Sequence, residues 1–329
     1  LRLMQEVQPA ATASGSARLQ IDALLNLGIA YNRSAQRAEA LARYAQAEAI
    51  YRAQSLDDPL LMANIDRLMA TDLSNLDRDE EALVHVQRAY QVLLREAGPL
   101  SQSLIDCLDV YLILLYDQGR GDQAVGITQP SFDALANASN LPTQRRAQIL
   151  ASHAYALKLA GRAVEAEAPI RASLALEESL YGSDSEALTS GLSKLVSILR
   201  DQRRYADAAA VADRAVAIRR ATLPPRHPAL LFGIQNAARV WLQAGDLARA
   251  RALIDEALAG YQANGSSDTS AGVSARLIHV EALVKEGNLD DARAVLAAVE
   301  PLSSVMGATD KALSERLRAK LMGSNEPRS

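Results

Sequence analysis

Leu24, Leu27, Gly28 and Tyr31 recur at three- and four-residue spacing, so they share one stripe of a helix, and Asp22, Asn26, Ile29 and Arg33 fall away from it. Ala40, Tyr44, Ala47 and Ile50 form a second stripe. The spacing predicts one helix over 21–32 and another over 37–54. Both patterns then return along the chain. Alanine stands at Ala40, Ala82, Ala124, Ala166, Ala208, Ala250 and Ala292, each 42 residues after the last. With alanine at roughly one residue in five, seven hits in one register have odds on the order of 10⁻⁵, and about 42 possible registers raise that only to a few in 10⁴. Twelve or thirteen residues before each alanine lies a small or apolar pair: Leu27-Gly28, Met69-Ala70, Tyr111-Leu112, His153-Ala154, Leu195-Val196, Ala237-Ala238 and His279-Val280. Seven residues after it comes Ala47, Ala89, Ser131, Ser173, Ala215, Ala257 or Val299. A period of this length means one supersecondary unit repeated and stacked, here seven times.

The turns support two helices per unit. Gly119, Gly161, Gly245 and Gly287 stand between the first and second helix, where a left-handed residue ends a helix at little cost. Asp57-Asp58-Pro59, Gly98-Pro99, Gly182-Ser183-Asp184 and Pro224-Pro225 through His227-Pro228 separate the units. The order Leu24-x₂-Leu27-Gly28-x₂-Tyr31, then Ala40-x₃-Tyr44-x₂-Ala47, resembles the tetratricopeptide repeat. The 42-residue period and the linker Leu223-Pro224-Pro225-Arg226-His227-Pro228 resemble the kinesin-light-chain class of that repeat. The resemblance covers 21–300. It implies an all-α fold, a right-handed α-α superhelix of seven helix-turn-helix repeats, with first helices lining the inner face and second helices the outer. Residues 1–20 read as the end of a preceding helical unit and a linker, 21–304 as the seven repeats, 305–322 as a capping helix and 323–329 as a disordered tail. Leu1, Met4 and Val7 at helical spacing suggest a piece of a longer protein. The third unit is irregular. Leu112 replaces a small residue, and Pro130 falls inside the second helix, where it is expected to bend or break it. Pro169 lies nearer its helix start and should do less harm.

Composition narrows the classes of function. The chain is 49% hydrophobic but only 4% aromatic, and Lys+Arg at 35 against Asp+Glu at 39 leave a net charge of −4. That balance gives no reason to expect nucleic acid, which usually selects a basic excess. One cysteine, Cys107, excludes an internal disulfide and any multi-cysteine zinc site. No run of about 18 apolar residues exists, and no membrane partner is expected. Arg2, Gln5, Glu6, Gln8 and Pro9 break any signal-peptide core, and a cytoplasmic location is the expectation.

Catalytic chemistry finds little to work with. The four histidines are His85, His153, His227 and His279, and no two fall at i, i+4. His153 and His279 occupy the apolar position of Leu27 and read as core histidines, while Cys107 with His153 lacks a third group to orient the imidazole. Gly119-Arg120-Gly121 is a turn between helices, not a phosphate loop. No enzyme activity, cofactor or metal is expected.

The stripe facing away from the stack is the better candidate. It carries Asp22, Asp106 and Asp117 with Arg33 in units one to three. In units four to six it carries Lys158, Lys194, Arg200 and Arg239, opposed by Asp201. Asn26 and Asn236 stand where the kinesin-light-chain class often places an asparagine against peptide backbone, and an amide offers both donor and acceptor. The expectation is a non-enzymatic module that binds a protein or peptide, acidic in character, with Asn26, Lys158, Lys194, Arg200, Asn236 and Arg239 in contact. Arg214 and Arg219, on second helices, should matter little. The alternative is a scaffolding or sensory segment of a larger effector, since bacterial arrays resembling this one often adjoin a caspase-like protease or a protein kinase.

Overall fold

The computed structural model describes Pro9 and residues 11–323, and every regular element among them is helical. In chain order these are α1 (Ala17–Arg33), α2 (Arg37–Ala53), α3 (Pro59–Ser74), α4 (Asp79–Val92), α5 (Gln102–Asp117), α6 (Gly121–Ala134), α7 (Thr143–Leu159) and α8 (Ala163–Tyr181). They continue as α9 (Leu188–Asp201), α10 (Tyr205–Thr222), α11 (Pro228–Ala244), α12 (Leu247–Ala263), α13 (Ser270–Glu286), α14 (Leu289–Val299) and α15 (Ala308–Gly323). The chain divides into two compact units, Leu1–Leu176 and Glu177–Ser329, with the division inside α8. Leu1, Met4, Val7 and the tail from 324 onward lie outside the described residues.

The alanine register is the packing of one helix on the next. All seven register alanines are buried, none more than 1% exposed. The small residues seven positions later are buried as well, and the two serines among them satisfy their hydroxyls internally. Ser131 Oγ donates to the Pro99 carbonyl at 2.7 Å, and Ser173 Oγ to that of Ala147 at 2.8 Å. Close approach explains the glycine of the first pair: a Cβ on Gly28 would stand 2.2 Å from the Tyr44 ring. Around these contacts the first unit buries Ile21, Leu24, Ile65, Val86, Leu104 and Leu108. The second buries Ile234, Ile254, Ile278 and Leu296, and α15 lays Leu317 and Leu321 against the last of these clusters.

Linker residues start the helices. Asp58 accepts a hydrogen bond from the Leu61 amide, Ser101 from Leu104 and Thr269 from Gly272. His227 Nδ1 accepts from the Ala229 amide at 3.2 Å, with Pro228 in the first turn of α11. The turns inside each pair share one conformation. Ala35, Asp77, Gly119, Gly161, Arg203, Gly245 and Gly287 all have positive φ, and each lies 42 residues after the last. Glycine at four of these was legible from sequence; the other three hold side chains in a left-handed turn.

Pro130 does not break its helix. α6 stays α-helical through Pro130 to Ala134 and tightens into a 3₁₀ turn at Leu135–Asn137. The carbonyl deprived of its donor belongs to Gly126, which is exposed with nothing within 4 Å of where a Cβ would stand, so water can reach it. A departure not foreseen is the π-helical turn Leu93–Ala97 that ends α4 before Gly98.

Candidate functional site

The reactive side chains are already engaged. Cys107 is fully buried, its Sγ 3.8 Å from the Val86 carbonyl, and burial pushes its thiol up to about 12. His153 stacks on Phe132 with ring centroids 4.1 Å apart, and its Nδ1 lies 3.0 Å from Thr128 Oγ1. Burial, and then the charge of Arg162, hold His153 below the ordinary histidine range. His85 Nδ1 lies 2.6 Å from Asp66, which also takes Arg88 at 2.8 Å. The one tryptophan is occupied too: Trp241 Nε1 donates to Asp213 at 3.0 Å, and the Arg249 guanidinium lies 4.3 Å from its ring. No group of three or more potential metal ligands occurs among the described residues, and no described helix is long and apolar enough to cross a membrane.

A pocket of about 180 Å³ opens in the second unit where α9, α10 and α11 meet. Val196, Ala212, Ala215, Ala237 and Val240 give it apolar walls. Polar groups enter from three helices: Ser193, Ser197 and Arg200 from α9, Arg219 from α10, and Asn236 from α11. Phe232, 51% exposed, lies among the lining residues. Arg200 Nε donates to Gln243 Oε1 at 2.7 Å, which fixes the guanidinium along α11. Among the described residues no carboxylate pairs with Arg200 or Arg219.

Of the residues singled out from sequence, the structure brings Arg200 and Asn236 to this pocket. Lys194 is not among the lining residues; its charge partly offsets Glu177, whose carboxyl burial pushes above its ordinary range. Arg239 is set back. It donates to Ser274 Oγ at 3.0 Å, Ser274 donates to Asp310 at 3.2 Å, and the Arg239 Nε is buried without a partner. Burial lowers the Arg239 pKa; Asp310 and Glu281 oppose the shift and neighbouring Arg200 adds to it. Lys158 and Asn26 belong to the first unit: Lys158 lies over the Tyr116 ring at 5.8 Å, and Asn26 is exposed on α1. Arg219 corrects the sequence expectation. It was assigned to an outer face, and it lines the pocket instead. Arg214 is tied to Glu178 at 2.7 Å and to the Ser183 carbonyl at 2.9 Å.

Repeated helix pairs stacked through small residues define a class of protein, the α-α solenoid of helix hairpins. Residues 189–229, from α9 into the start of α11, match the tetratricopeptide repeat family. Among solved structures, the apo form of RapI is 14% identical with a TM-score of 0.63, covering 92% of this chain and 99% of that one. A Rap protein complexed with Competence and Sporulation Factor is 13% identical with a TM-score of 0.55, covering 98% and 81%. BtubC (BKLC) from P. vanneervenii is 20% identical with a TM-score of 0.55, covering 68% and 91%. At such identities the likeness is one of fold. No curated protein matches the chain in sequence. The chain is a tetratricopeptide-type array, and its repeat resembles that of the kinesin-light-chain class.

Proposed function

We propose that the chain is a non-catalytic protein-interaction module that holds an acidic segment of a partner against its second unit. The observation that carries the reading is the pocket of α9, α10 and α11, where Arg200 and Asn236 converge on apolar walls and no carboxylate of the described chain neutralises the guanidinium. Positive charge concentrated in a concavity attracts anionic groups and speeds their encounter. Asn236 offers both a donor and an acceptor to the backbone of whatever docks. The Rap protein of similar fold, complexed with Competence and Sporulation Factor, is a precedent for such a scaffold engaging a partner. The test is selection of random displayed peptides on the full chain. The selected pool should be enriched in Asp and Glu, Arg200→Glu should lose it, and Arg214→Glu should keep it. A pool no more acidic than the input, or one that Arg200→Glu retains unchanged, overturns the proposal.

A further inference from the structure

One position of the 42-residue register departs from its pattern. Tyr51, Leu93, Leu135 and Tyr261 occupy the same place near the end of the second helix of their pairs, while Glu177 and Arg219 occupy it in α8 and α10 and the exposed Ser303 in the last pair. Leu93, Leu135 and Tyr261 are buried and Tyr51 half-buried, so within the array the place packs against the core. A guanidinium cannot rest there as a leucine does: it must be paired, or its stem must carry the charge out to solvent. Arg219 is carried into the pocket, and the route crosses α11 at Gly233. A Cβ on Gly233 would stand 2.7 Å from one Arg219 guanidinium nitrogen. Gly233 is buried inside α11, where alanine is the better helix former, so the glycine keeps a lane open at the helix's own expense.

The lane brings a second guanidinium to a pocket that already holds one. Arg200 enters from α9 with its Nε fixed on Gln243, which leaves its terminal nitrogens to the pocket. Two planar guanidinium groups with no acid between them match the fork of a carboxylate. The exposed ring of Phe232 and the wall of Val196 suit an apolar neighbour of that carboxylate. We propose that Arg219 is a specificity-determining residue: the pocket takes one side-chain carboxylate of a partner segment on Arg200 and Arg219 together, and Gly233 is the positioning residue that lets Arg219 reach it. This rests on the acidic-segment reading above and adds the pair of groups that would recognise it.

The test uses the full chain and a fluorescein-labelled peptide of three Glu-Leu-Gly repeats, read by anisotropy against its Gln-Leu-Gly counterpart. The native chain should prefer the glutamate peptide, and Arg219→Ala should weaken that binding by about ten-fold or more. Gly233→Ala should weaken it comparably with no fall in melting temperature, because alanine favours the helix and only displaces a flexible side chain. On the Arg219→Ala background, Gly233→Ala should have no further effect, a non-additivity that a merely structural glycine would not show. Arg219→Lys should recover only part of the affinity. If Arg200→Glu abolishes binding while Arg219→Ala and Gly233→Ala leave it unchanged, this inference falls and the acidic-segment reading stands. If the native chain does not prefer the glutamate peptide, or if none of these substitutions weakens binding, both fall.

Discussion

Arg203 should be more stable as glycine. It sits in the turn between α9 and α10 with φ +60, at the register position that Gly119, Gly161, Gly245 and Gly287 fill with φ between +66 and +91. Its side chain is exposed and makes no hydrogen bond or ion pair among the described residues, so its removal costs no contact. A residue with a Cβ is disfavoured in the left-handed region by about 1–2 kcal/mol. Glycine relieves that strain but loosens the unfolded chain, which gives back about 0.4–1 kcal/mol. Arg203→Gly should therefore gain about 0.5–1 kcal/mol net, raising Tm by about 1–4 °C at this chain length. Thermal and urea unfolding of the full chain, followed by circular dichroism, would measure it. Arg203→Ala keeps the strained φ and should stay within about 0.5 kcal/mol of the native chain. Gly161→Ala makes the reverse exchange at the equivalent turn and should lose about what Arg203→Gly gains. A lower midpoint for Arg203→Gly, as expected for glycine in an unstrained turn, would refute the claim that the seven turns share one required conformation.

Two further substitutions probe the packing. Gly28→Ala places a Cβ 2.2 Å from the ring of Tyr44, which is 1% exposed, and should cost about 1–2 kcal/mol after allowing for alanine's helix preference; an unchanged urea midpoint would show that α1 and α2 do not need this close approach. His153 titrates below its ordinary range when folded, so its contribution is complete above about pH 6.5 and is lost as pH falls from there through the folded-state value. His153→Leu should reduce the loss of stability as pH falls below about 6.5, leaving the share of His279, which burial shifts the same way, while Thr128 retains hydrogen bonds to the Ala124 and Val125 carbonyls; an equally steep profile in the variant would assign the acid sensitivity to other groups.

Much of the fold was legible because a repeat tests each unit against six others. The alanine at 42-residue spacing marked positions that the structure buries almost completely. The turn glycines were read correctly at four units and missed at Ala35, Asp77 and Arg203, because a backbone conformation imposed by two packed helices leaves no trace when the residue is not glycine. Pro130 leaves α6 unbroken for a related reason: the cost of a helical proline depends on what its freed carbonyl meets, and Gly126 is exposed. The site was half legible. Arg200 and Asn236, which line the pocket, lie on the stripe of the first helices that the sequence singles out, whereas Arg219 lies on a second helix, which the repeat resemblance assigns to the outer surface. The signal was nevertheless present in the register, as a charge at a place that Tyr51, Leu93, Leu135 and Tyr261 hold in four of the seven units.

That signal alone would not have been sufficient, because other departures from the register carry no function that the structure requires. His153 replaces an apolar residue, and Phe132 and Thr128 accommodate it. Ser131 and Ser173 replace alanine, and each hydroxyl donates to a backbone carbonyl. Glu177 breaks the same core position as Arg219; Lys194 partly offsets its charge, but one of its carboxylate oxygens is buried without a hydrogen-bond partner. At His153, Ser131 and Ser173 structural tolerance has a physical mark: the fold supplies the group that the new side chain needs, because an unsatisfied buried polar atom costs more than the hydrogen bond would return. Arg219 lacks that mark. Among the described residues no carboxylate meets it, and α11 spends a glycine to let it pass. The unpartnered oxygen of Glu177 is shut inside the fold, whereas Arg219 opens into a pocket that a ligand can enter, and this is why the search for a ligand begins at Arg219.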